Sequence, residues 1–162
     1  MSFPKKPLII ASAVFLGLVA WFILKGDGDI AAIRQQLDEL VEVVEKEGPV
    51  PPFEALGRSQ KLKSKFTERL LFEYLPGKSL PRDRDELGAA FLGVWSKLDR
   101  ISIRVLRHDV SVDENKYEAE SSLSANCSVV MDGAERMGDT FEYIVFWTKV
   151  DGEWLIERLI AQ

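Results

Sequence analysis

The clearest hydrophobic pattern lies near the C-terminus, in DTFEYIVFWTKVDGEWLIERLI (139–160). Phe141, Tyr143, Val145 and Trp147 fall at every second position, and Ile144, Phe146 and Val150 fill the opposite parity. A period of two predicts a strand, and a strand apolar on both faces belongs in the middle of a sheet. Asp151-Gly152 then predicts a two-residue hairpin turn, because both turn positions need φ > 0. Trp154, Ile156 and Ile160 continue on a second strand. Upstream, Tyr117 to Met131 alternates throughout: Tyr117, Ala119, Leu123, Ala125, Cys127, Val129 and Met131 share one face, while Glu118, Glu120 and a row of serines share the other. Between Ile101 and Val112 the apolar parity begins odd (Ile101, Ile103, Val105) and turns even (Leu106, Val110, Val112). That switch predicts either two short strands or one strand bent by a β-bulge. Residues 132–138 are expected to form a loop.

Helical periodicity takes over elsewhere. Ile30, Ile33, Leu37, Leu40, Val41 and Val44 make an amphipathic stripe in a helix capped at Asp27 or Asp29 and running to about Glu47. The same positions fit two and a half heptads, so packing on the domain's own sheet competes with a dimeric stalk. Gly48-Pro49-Val50-Pro51-Pro52 ends the helix as a stiff connector. A second helix is expected from Glu54 to about Thr67, with Arg58, Lys61, Lys63 and Lys65 on a solvated face. A strand over 69–74, a turn at Pro76-Gly77 and a short return over 78–80 follow. The third helix opens at Asp83 or Asp85 and carries Leu87, Phe91, Val94, Trp95 and Leu98.

The N-terminus departs from both periods. Pro7 to Leu24 is an uninterrupted uncharged run of eighteen residues, about 27 Å as a helix and close to the hydrocarbon thickness of a bilayer. A cleaved signal peptide is the alternative, but the run ends in Trp21-Phe22-Ile23-Leu24, where a signal peptidase requires small side chains. The expectation is an uncleaved single-span anchor with Trp21 at the interface. Lys5 and Lys6 before the span outweigh Lys25 after it, which places the short N-terminus in the cytoplasm and the large domain outside it, periplasmic if the cell is Gram-negative. The expected organisation is a cytoplasmic N-terminus (1–6), a transmembrane anchor (7–25), an amphipathic helix and proline-rich connector (26–52) and an α+β domain (53–162) that the helix over 30–47 joins.

Charge sharpens this division. Residues 1–26 hold three of the 21 basic residues and no acid, leaving 18 basic against 26 acidic residues in the remainder, a balance of about −8. An acidic domain argues against nucleic acid as a partner. A single cysteine, Cys127, excludes an intrachain disulfide, and with a single histidine no metal centre or cofactor is expected.

The element order resembles that of the nuclear transport factor two-like superfamily of cystatin-like α+β rolls. The residues carrying the resemblance are Lys65-Phe66-Thr67 before the first strand, Arg84-Asp85-Glu86-Leu87 opening the third helix, and Asp151-Gly152-Glu153-Trp154-Leu155-Ile156 in the last hairpin. It covers about Ile30 to Ile160. It implies about three helices packed on a strongly curved, mainly antiparallel sheet, and a frame that hosts isomerases, dehydratases, scaffolds and transport factors alike. Enzymes of this family place an acid or histidine base with a hydrogen-bond donor inside the cone. Here the candidates are His108 and Asp109, with Tyr74 or Tyr143 as donor; a structural histidine is the competing reading. The leading expectation is a membrane-anchored, non-enzymatic domain that binds a copy of itself or another membrane-associated protein. Its contact surface would be the second apolar sheet face: Ile144, Phe146, Val150 and, on the neighbouring strand, Val130. The alternative is binding or catalysis on a small apolar ligand inside the cone.

Overall fold

The computed structural model describes residues 28–80 and 82–162. Among the described residues no helix is long and apolar enough to cross a membrane. The expected anchor, with Lys5, Lys6, Trp21 and Lys25, lies outside them. Three helices are described, α1 (28–44), α2 (Pro52–Ser64) and α3 (Arg84–Trp95), together with six strands. The strands are β1 (Phe66–Leu75), β2 (Lys78–Leu80), β3 (Arg100–Val112), β4 (Glu118–Met131), β5 (Ala134–Val150) and β6 (Glu153–Ala161). They form one sheet in the order β2-β1-β6-β5-β4-β3. The architecture is α+β, as the pattern predicts, but the sheet is mixed: β1 runs parallel to β6, while every other neighbouring pair is antiparallel.

α1 packs on the sheet through Ile33, Leu37, Leu40 and Val43, which join Val145, Trp147, Trp154 and Ile156 in one hydrophobic core. Polar side chains lock its ends. At the start, the Asp29 carboxylate accepts from Lys149 Nζ (2.8 Å) and Trp154 Nε1 (3.1 Å). At the far end, Arg58 donates to the carbonyls of Glu42, Val43 and Glu45, a cation where the helix dipole favours one. Trp95 closes the same corner. Its Nε1–H donates to Val44 O (2.8 Å), and buried Lys46 donates to Trp95 O and Leu98 O while its ammonium sits 4.5 Å from the indole centroid.

The basic row expected on a solvated face of α2 is mostly engaged within the fold. Arg58 caps α1, Lys63 pairs with Asp85 (2.5 Å), and Lys65 reaches Gln36 and Glu39. Only Lys61 lacks a side-chain partner among the described residues. α2 stops at Ser64, because Phe66 is already drawn into the sheet beside Ile156. α3 begins as its sequence dictates, with Asp83 accepting from Glu86 N (2.9 Å).

The parity switch in β3 is a bulge within one continuous strand, at the register shift between Val105 and Arg107. The loop expected over 132–138 is mostly strand. β4 turns into β5 through Asp132 and Gly133 alone, both at positive φ (53° and 71°), like the Asp151-Gly152 turn (50° and 84°).

Candidate functional site

The β3 bulge decides which way the sole histidine faces. After Leu106 the inward set becomes His108, Val110 and Val112, so His108 lies on the helix-covered face, half-buried under α1. Its Nε2 lies 3.0 Å from Ser121 Oγ on β4, and Ser121 Oγ also accepts from Trp147 Nε1 on β5 at 2.9 Å. Ser121 is fully buried, so its own hydrogen needs an acceptor. An indole N–H only donates, which leaves His108 Nε2 as that acceptor and puts the proton of the neutral ring on Nδ1. Burial pushes the imidazole below its ordinary pKa and the charge of Arg34 adds to this, with Asp38 and Asp109 opposing.

Asp109 belongs to the other face. It is exposed and pairs with Arg107 at 3.4 Å. Alternation along β3 therefore separates the two residues expected to form an acid–base pair. Tyr143 faces inward, but its hydroxyl donates to Tyr74 O (3.2 Å) at the end of β1. His108 is held through Nε2 in a hydrogen-bond chain with Ser121 and Trp147. Among the described residues no cluster of His, Cys, Asp or Glu is arranged to hold a metal ion.

Beside that tyrosine pair is a half-open cleft of about 300 Å³, lined by Tyr74, Leu75 and Pro76 from the β1–β2 hairpin, Phe141 and Tyr143 from β5, and Ala161 with Gln162. Burial raises the Tyr143 pKa, with the neighbouring Cys127 contributing, and burial raises the Cys127 thiol as well. Both groups are therefore neutral at pH 7 and offer hydrogen-bond chemistry rather than charge.

The face turned away from the helices carries the expected contact residues, in three separate places. Ile144 lies between Ser122 and Ile160, and Phe146 between Glu120 and Arg158. The Arg158 guanidinium lies 3.9 Å from the Phe146 ring centroid, and Leu71 on β1 pairs with Arg158 from the other side. Val150 sits at the β5–β6 turn. Val130 is ten residues along β4 from Glu120, about 33 Å away at strand rise. The structure thus brings together Ile144, Phe146, Ile160 and Leu71, and leaves Val130 and Val150 apart. Leu71 escapes sequence reasoning because only the parallel β1–β6 pairing places it on this patch, and Ile160 because the register shift between Phe146 and Trp147 moves it off the face of Trp154 and Ile156.

By sequence the chain matches no protein-family model and no curated protein. By structure it is similar to many solved proteins. One from Novosphingobium aromaticivorans, provisionally named a scytalone dehydratase, has a TM-score of 0.68 at 16% identity over 85% of each chain. A Streptomyces avermitilis protein, provisionally named a dehydratase of the nuclear transport factor two-like family, has a TM-score of 0.65 at 13% identity, over 83% of this chain and 96% of that one. A Xanthomonas campestris protein, provisionally named a calcium/calmodulin-dependent protein kinase II association domain, has a TM-score of 0.58 at 12% identity over 82% and 83%. Identities this low carry the fold and not the activity, and these names span both catalysis and assembly. The described chain has the nuclear transport factor two-like fold.

Proposed function

We propose that the protein is a membrane-anchored, non-catalytic binding domain that pairs with a second copy of itself through the outer face of its sheet. The observation that carries this reading is the apolar group Ile144, Phe146, Ile160 and Leu71 on the face no helix covers. Burying an Ile or Phe side chain fully is worth about 1.5–3 kcal/mol, so a patch of half-buried side chains gains from a partner. A two-fold interface must be self-complementary. Here Arg158 and Glu120 flank Phe146 on opposite sides, so two copies related by a two-fold axis can exchange ion pairs around an apolar centre. The engaged His108 and the outward Asp109 support a non-catalytic role. The segment 7–25 holds the domain at the membrane, with 1–6 cytoplasmic and the domain outside, and pairing would double the number of anchors per assembly. Sedimentation velocity on the fragment 28–162 tests the pairing. The expected result is a dimer that becomes a folded monomer on Ile144→Ser with Phe146→Ser; a wild-type monomer at high concentration sinks it. Resistance to alkaline extraction tests the anchor.

A second reading, binding of a small apolar ligand, draws on the cleft beside Tyr74 and Tyr143 and on the dehydratase names among the structural neighbours. It predicts saturable binding of a small aromatic compound that Tyr143→Phe weakens and that Ile144→Ser leaves unchanged.

A further inference from the structure

Three residues, Lys25, Gly26 and Asp27, separate the end of the apolar run at Leu24 from Gly28. Fully extended, that length of chain reaches at most about 14 Å. The headgroup layer on one side of a bilayer is itself roughly 5–7 Å thick. Whatever surface of the domain surrounds Gly28 is therefore held within one headgroup layer or so of the lipid, provided the run spans the membrane.

That surface is well defined, because the Asp29 side chain ties the start of α1 to Lys149 and Trp154, on either side of the β5–β6 turn. Lys149 N in turn donates to Tyr117 O (2.8 Å), bringing the β3–β4 turn alongside. The two turns carry large side chains with little reason to be bare in water: Tyr117 is 65% exposed and Val150 42% exposed. Lys116, at φ 60°, stands next to Tyr117. The rest of this end is acidic, with Asp113, Glu114, Asp151 and Glu153 all exposed. Phe53 is exposed further still, at 78%, but starts α2 beyond the opposite end of α1, about 25 Å away along a seventeen-residue helix.

We propose that the β3–β4 and β5–β6 turns form a lipid-contacting end of the domain, with Tyr117 and Val150 set into the headgroup layer of a zwitterionic bilayer. Tyrosine suits that depth, having an apolar ring and a hydroxyl that stays hydrated. The four acids set the lipid preference, since an anionic surface repels this end. The proposal rests on the anchor reading above and adds to it a fixed orientation: the sheet stands with its hairpin turns toward the lipid and Phe53 away from it.

The test uses the full chain in phosphatidylcholine vesicles, with Cys127→Ser and single cysteines from Tyr117→Cys, Val150→Cys or Phe53→Cys carrying an environment-sensitive fluorophore. Aqueous acrylamide and lipids brominated near the headgroup serve as opposing quenchers. The expected result is several-fold less acrylamide quenching and clear bromolipid quenching at 117 and 150, with the reverse at 53. Adding phosphatidylglycerol should return 117 and 150 toward the aqueous values. Protein that floats with the vesicles and resists alkaline extraction, yet shows equal quenching at 53, 117 and 150, overturns the proposal and leaves the anchor standing. Protein that fails to float overturns both. Circular dichroism of each labelled variant confirms that the fold is retained.

Discussion

Ser121 shows how much can hang on one small side chain. Its oxygen accepts from Trp147 and its hydrogen goes to His108, so three strands share one hydroxyl. Ser121→Ala strands a buried indole N–H and a ring nitrogen, and a loss of about 1–3 kcal/mol is expected in urea unfolding. A double-mutant cycle with Trp147→Phe should recover part of that loss, because the second change removes the stranded donor. His108 adds a pH signature. Its folded pKa is depressed below the ordinary 6.5, so the unfolded chain binds the proton more readily. Its contribution is complete well above pH 6.5 and is lost as pH falls from there through the lower folded value. His108→Gln should flatten the fall in thermal midpoint between about pH 7.5 and 5, and a slope identical to wild type would count against the buried neutral imidazole. Asp29 titrates in a separate window. Burial raises its carboxyl, but hydrogen bonds from Lys149 and Trp154 and the charges of Lys149 and Lys116 outweigh this and hold it below 3.8. Its contribution is present above that value and is lost only in stronger acid.

Among the elements, two glycines with empty surroundings make opposite predictions. A Cβ placed on Gly133 or Gly57 meets nothing within 4 Å, but Gly133 stands at φ +71° in the β4–β5 turn while Gly57 lies within α2. Gly133→Ala should cost about 1–2 kcal/mol from the left-handed backbone alone, whereas Gly57→Ala should gain up to about 1 kcal/mol from helix propensity. Chemical denaturation of both variants checks the pair. The Asp132-Gly133 turn also marks what could be read in advance. It is the same dipeptide that identifies the last hairpin, yet the stretch after it, AERMG, has no apolar alternation, so the strand there is legible only through its register against β4. The bulge in β3 was visible in the parity of its apolar residues, and that same parity turns His108 inward and Asp109 outward. The parallel pairing of β1 with β6 had no local signal, because its partners stand far apart in the chain, Phe66 ninety residues from Ile156. With it went the only means of placing Leu71 on the outer patch. Ser121 shares the parity of Ala119 and Leu123, so its inward place was legible, but its partners His108 and Trp147 were not, because they lie on the two neighbouring strands.

For the whole molecule the deciding question is where the domain begins. α1 can be a stalk that the domain does without, or a wall that the domain is built on. Ile33, Leu37, Leu40 and Val43 are buried in the same core as Trp147 and Trp154. At about 1.5–3 kcal/mol each, the four together are worth roughly 6–12 kcal/mol, comparable with the 5–15 kcal/mol that is the whole stability of an ordinary domain. Their loss would also uncover His108, Val145 and Trp147, and would strip the acceptors from Arg58 and from Trp95 Nε1. Polar clamps at both ends of α1 add to this, at Lys149 and Trp154 on one side and at Arg58 on the other. A fragment starting at residue 28 is therefore expected to unfold cooperatively, with the near-ultraviolet signal of its buried tryptophans intact. A fragment starting at residue 46, just after Glu45, is expected to lose that signal and to bind hydrophobic dyes. Both are read by thermal melts in the same buffer. A cooperative melt from the shorter fragment would mean that α1 is an appendage after all. The six-stranded sheet with α2 and α3 would then have to be stable with the Trp147 face open to water.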